Sequence, residues 1–226
     1  MRTARETVNR AKRRVVQRLR GELNVDRLVA AGLEIGRGTF VANDAYLDPG
    51  HPWLITIGKE SGLSPRTVVM VHDASMQRHM GCTRIARVVI GDRVFVGAGA
   101  IILPGTRIGD DSIVGAGAVV RGDIPPGSMV VGNPAKIVSD VKSVAEWHRQ
   151  VATESPVWPH EGWTIGAGGI TDARKRAQRE ALIGGTSGYL AVASSGVRPN
   201  QAERGRPSAD RDVPQSAPAM SRDTRR

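Results

Sequence analysis

Residues 90–120 read IGDRVFVGAGAIILPGTRIGDDSIVGAGAVV, and cut in sixes from Ile90 they give IGDRVF, VGAGAI, ILPGTR, IGDDSI and VGAGAV, with VRGDIP next. The first place of each unit is a β-branched aliphatic: Ile90, Val96, Ile102, Ile108, Val114 and Val120. The fifth holds Val94, Ala100, Thr106, Ser112 and Ala118, and Gly91, Gly97, Gly109 and Gly115 follow the aliphatic residue in four units. A period of six cannot be helical, because steps of about 100° do not return a side chain to one face. Glycine would also weaken such a helix by about 1 kcal/mol at each place. Short strands joined by tight turns fit: three hexads make one triangular coil, with the aliphatic and the small fifth residue pointing inward and glycine or aspartate at the corners. The pattern predicts an all-β solenoid whose coils stack by parallel pairing.

The same phase recurs upstream at Ile35, Val41 and Leu47, then at Ile57, Leu63 and Val69. Residues 48–53 and 75–88 interrupt it, and such interruptions read as loops on a rigid scaffold, where sites are built. Downstream, Pro125 and Pro126 and the GNPA at 132–135 end the regular coils, with Ile137 and Val138 as one last strand. A helix over 139–153 is expected to cover the open end. The chain therefore divides into a basic helical segment over 1–32, the solenoid over 33–138 with a long loop at 72–88, a capping helix and extension over 139–165, and a low-complexity tail over 166–226. Within the first segment, 5–19 carries a thin apolar stripe of Val8, Val15, Val16 and Leu19, and a short helix follows at 25–31. The tail is rich in Gly, Ser, Ala, Pro and Arg, and 194–226 reads as disordered.

The net charge of +10 suggests nucleic acid or a membrane surface until it is divided by region. Residues 1–20 hold +7 and residues 171–226 hold +5, leaving −2 on everything between. The basic character belongs to the ends, so no specific nucleic-acid partner is expected of the solenoid. Only 4% of residues are aromatic against 27 glycines, which suits small repeated units. The single cysteine, Cys82, excludes an internal disulfide and is read as a small buried apolar group. No run approaches the roughly 20 apolar residues of a transmembrane helix, and no secretory leader opens the chain, so a cytoplasmic location is expected.

These motifs, together with DIPPGSMVVGNPAKIV at 123–138, VHDAS at 71–75 and HPWLITIG at 51–58, give a resemblance over 33–138. The chain resembles the hexapeptide-repeat acyltransferases, in particular the branch of maltose, galactoside and capsular or exopolysaccharide O-acetyltransferases. The resemblance implies a left-handed parallel β-helix assembled as a homotrimer. It also implies acetyl-CoA bound in the groove between subunits as donor, a saccharide hydroxyl as acceptor, direct transfer in a ternary complex, and no metal.

A hydroxyl is a poor nucleophile at neutral pH, so attack on a thioester needs a base poised near neutrality. Among His51, His72, His79, His148 and His160, the resemblance selects His72, where a coil gives way to the long loop. His79, on that loop, is the reserve; His51 lines the acceptor pocket or serves a turn. Asp73 adjoins His72, but neighbours on an extended chain point apart, so the group orienting the imidazole stays open. The resemblance places Gly97 and Ala98 where a backbone amide meets the developing oxyanion, Ala116 and Gly117 along the pantetheine arm, Arg121 and Lys136 near the nucleotide phosphates, and Asn43 on the acceptor. Three other readings compete. A γ-carbonic-anhydrase-like zinc site needs three histidines, of which His72 and His79 supply two. A sugar nucleotidyltransferase needs a nucleotide-binding domain for which there is no room. A non-catalytic trimeric scaffold has no use for His72.

Overall fold

The computed structural model describes residues 25–185 and 187–191. The helix expected at 5–19 and the tail beyond 191 lie outside the described residues. The hexads form three parallel sheets that the chain visits in strict rotation. On the first face Ile35, Ile57, Ile90, Ile108 and Ile124 lie side by side. On the second, Val41, Leu63, Val96, Val114 and Val130 do so. On the third the ladder is Leu47, Val69, Ile102 and Val120. Every first-place aliphatic of the repeat thus stacks on its equivalent one coil away; with Val94, Ala100 and Ala118 most of them form the buried core, while Ile35, Val41 and Ile124 are partly buried against it. Thr106 and Ser112, polar fifth-place residues, are buried because their hydroxyls donate to the carbonyls of Leu103 and Pro125.

The glycines have a different task from the one their position suggested. A Cβ on Gly97 would lie 2.5 Å from the Ala116 amide nitrogen, so the second-place glycine is needed because neighbouring coils approach there, not because a corner turns. The corner falls at the fourth place, where Glu60, Arg66, Arg93 and Asp111 take φ of 53–60°. These residues accept the left-handed conformation because each helps close a coil held by ladder bonds on both sides.

Both interruptions fall on one edge of the prism. Residues 48–54 and 70–87 each leave the third face and rejoin the first one coil later. The longer one rises as a hairpin in which His72–Asp73 pairs antiparallel with Arg84–Ile85, tipped by a single helical turn at Gln77–Met80. Cys82 lies exposed on this hairpin, not buried as its type suggested, because a projecting two-stranded ribbon has no interior.

Helix α1 (Val25–Ala30) buries Leu28 in the same cluster as Leu33, at the first coil. At the other end residues 132–135 run beside Val119. The chain then doubles back as Lys136–Asp140, antiparallel to Ser128–Val131. The last strand of the second face is therefore covered by a strand, where a helix was expected, and the strand satisfies the edge amides directly. Helix α2 (Val141–Glu154) follows, close to the expected 139–153.

A second compact unit begins at His148. In it Val157–Pro159 pairs parallel with Tyr189–Ala191, and helix α3 (Asp172–Ala181) is capped by the Thr171 hydroxyl, which accepts from the Arg174 amide at 3.3 Å. Trp158 and Trp163 stack at 5.8 Å between ring centroids, and the Arg174 guanidinium sits 5.3 Å over Trp163. The expectation of an unstructured tail from 166 is corrected over 172–181 and 189–191. A few aromatic contacts and one cap organise this stretch, and neither leaves a periodic signal.

Candidate active site on the interrupted edge

The shorter interruption starts with a carboxylate. Asp48 follows core residue Leu47, keeps the ladder through its amide to the Val69 carbonyl at 3.0 Å, and is wholly buried. One coil further on, the chain passes Val71, also wholly buried, and reaches His72. Stacking therefore brings together residues 24 apart in sequence. The Asp48 Oδ2 accepts from the Val71 amide at 3.1 Å and contacts His72 Nδ1, while Oδ1 accepts from the Gly50 amide at 3.0 Å. Burial pushes the Asp48 carboxyl pKa up, but the bonds from Val71, His72 and Gly50 outweigh it and hold the group below the usual carboxylate range. An ionised carboxylate can only accept, so the His72 nitrogen facing it is the protonated one, and the lone pair of the neutral ring sits on Nε2. The His72 side chain is 32% exposed, so the ring is open to a ligand. This is an oriented base.

His51 completes the cluster. Its ring lies 6.0 Å from that of His72 and edge-on to Trp53 at 5.4 Å. Trp53 itself is largely exposed. One ligating atom each of Asp48, His51 and His72 fall within 4.8 Å of one another.

The structure sorts the remaining candidates by edge. Asp73 does not orient His72; its carboxylate accepts from the Ser75 amide at 2.9 Å and closes a local turn. His79 is exposed on the hairpin tip and outside the cluster, so the pairing of His72 with His79 on zinc is corrected: His51 is the histidine beside His72. Arg121 is exposed on the His72 edge, two coils beyond, since it follows Val120 of the third face. Asn43, Ala98 and Ala116 lie instead on the edge between the second and third faces, in register along the axis, with Gly117 one residue further on. Lys136, paired with Val131, stands exposed at the far end of that edge. The Gly97 amide donates to the Val114 carbonyl at 2.8 Å and is committed to the ladder. The Ala98 amide has no acceptor among the described residues, which leaves it as the free donor of the pair.

Sequence reasoning missed Asp48 as the partner of His72. The signal was present in the repeat: Leu47 and Val69 occupy the same place, so residue 48 must sit beside residue 70, two residues from the histidine.

A family model described as bacterial transferase hexapeptide (six repeats) matches residues 87–122. The chain is 33% identical over 114 residues to putative acetyltransferase YvoF of Bacillus subtilis (strain 168), across 50% of this chain and 64% of that protein. It is 32% identical over 130 residues to protein CapG of Staphylococcus aureus, across 55% of this chain and 76% of that protein. Among solved structures, maltose O-acetyltransferase from Clostridium difficile 630 is similar at 34% identity and a TM-score of 0.43, over 49% of this chain and 59% of that one. The chain belongs to the hexapeptide-repeat acetyltransferase family. It spans less than two thirds of the first of these relatives.

Proposed function

We propose that this protein is an acetyl-CoA-dependent O-acetyltransferase acting on a saccharide hydroxyl, with His72 as general base and Asp48 as the residue that positions it. The observation that carries the reading is the buried, ionised Asp48 holding Nδ1 of a half-exposed histidine. A purely structural coil gains nothing from a buried carboxylate at this place, where the other coils of the same face carry Met70, Leu103 and Arg121. In the forward step Nε2 takes the proton as the acceptor oxygen attacks the thioester carbon, and the imidazolium formed is stabilised by Asp48. The Ala98 amide would meet the oxyanion. The thiol of CoA leaves with the proton returned by His72, so no covalent enzyme intermediate is needed.

Asp48 and His72 lie on one edge of the prism, while Ala98, Ala116 and Lys136 lie on another. One chain cannot bring both edges to a single thioester; two copies side by side can. The outward residues support such packing. On the first face they are Glu34, Thr56, Arg107 and Asp123 with Val89, but on the other two they are Phe40, Phe95, Ile113 and Met129, then Tyr46, Val68, Ile101 and Val119. Phe40 and Phe95 are 64% and 53% exposed in the single chain, and apolar faces of this extent mark association. We take the assembly to be a homotrimer of left-handed coils, as the family resemblance implies.

The test is thiol release from acetyl-CoA with a panel of sugar, small hydroxyl and amine acceptors, native chain against His72→Ala. Acceptor-stimulated release that falls at least about 100-fold in the variant sustains the proposal. Release unchanged by the substitution removes His72 as the base, and none with any acceptor turns the proposal toward the scaffold reading.

A further inference from the structure

We infer that Asp48, His51 and His72 form a binding site for a first-row transition-metal ion, zinc above all, in which the ion and the working base exclude each other. The role proposed for His72 rests on the acyltransferase reading; the metal site does not. Three observations carry it. The three residues present ligand atoms mutually within 4.8 Å, and two imidazoles with one carboxylate are the donor set of an open zinc site. Among the described residues, His51 Nδ1 is a buried ring nitrogen with no hydrogen-bond partner, an unmet polar group that an ion or a small ring rotation toward Asp48 would satisfy. Asp48 Oδ1 takes a single bond, from Gly50, while Oδ2 takes two, so a lone pair remains on the side of the carboxylate not engaged with His72.

Zinc–nitrogen and zinc–oxygen bonds of about 2.0–2.2 Å require the ligand atoms to draw together, which side-chain rotation of the two histidines supplies. The exposed side of His72 gives an entry path. Binding replaces a proton or a lone pair that the base needs, so a bound ion stops proton transfer without touching the coil. Neither Gly50 nor Val71 has to release its bond to Asp48.

The experiment is titration of chelator-stripped full-length protein with zinc chloride by calorimetry, and with cobalt chloride followed by visible absorption. The expected result is one ion per chain with a tetrahedral cobalt spectrum. Affinity should fall at least tenfold in His51→Ala and in His51→Gln, and stay unchanged in His79→Ala, which removes an exposed histidine from the hairpin tip. Thermal melting of each variant separates loss of ligand from loss of fold. Binding that is absent, or that His79→Ala weakens as much as the His51 variants do, overturns the site. If zinc binds as expected yet acceptor-stimulated thiol release continues at saturation, the metal site stands and His72 is not the base.

Discussion

Asp48 and His72 differ in how much each depends on its surroundings. His72 could be named from its place next to a coil break, but its chemistry is set by a carboxylate from the coil before. Asp48→Asn keeps the shape and offers an amide in place of the acceptor, so the ring is free to take the wrong tautomer. We expect kcat to drop at least tenfold with KM for acetyl-CoA little changed, measured by steady-state thiol release. The same substitution reads out in stability. The native Asp48 pKa lies below its unfolded value, so the contribution of the carboxylate is fully present above about pH 4–5 and is lost as pH falls through the native value. The stability gap between native chain and Asp48→Asn, from denaturant midpoints, should be constant near neutrality and close in acid. A gap that widens in acid would contradict the sign.

At the scale of the element, the hexad is the unit, and its places are not equally tolerant. Ile102 is wholly buried at the centre of the third-face ladder, and Ile102→Ala should cost about 2–5 kcal/mol in denaturant unfolding, the range for deleting a large buried aliphatic. Gly97→Ala places a methyl against backbone of the next coil and should cost about 1–3 kcal/mol although it adds only one carbon. Arg93→Gly, at a fourth place with φ of 54°, should be the mildest of the three for the backbone, since it relieves a left-handed residue while losing an exposed pair with Asp111. The order of these three effects tests the assignment of places. A period of six with a fixed inward residue was legible because each coil repeats the same environment. The distinct tasks of second and fourth place were not, because glycine serves close approach and positive φ equally well in a sequence.

For the whole molecule, the division of candidate residues between two edges makes a prediction that no single chain could satisfy. His72→Ala and Ala116→Trp, the second adding bulk at an exposed place on the other edge, should each abolish transfer alone. Mixed in equal amounts, unfolded and refolded together, they should recover about a quarter of native turnover, because about one interface in four then combines two intact edges. No recovery, with both variants shown to co-assemble by light scattering, would place the site within one chain.

The solenoid, its phase and both loop positions were determined by the amino-acid sequence alone. Each follows from a local rule: an inward aliphatic every six residues, and a break in that rule. Tertiary structure decided the rest. Asp48 meets His72 only because coils stack, Cys82 is exposed only because its hairpin projects, and order at 172–181 and 189–191 rests on contacts between distant residues. Periodicity encodes the direction in which a side chain points; stacking determines what it then touches.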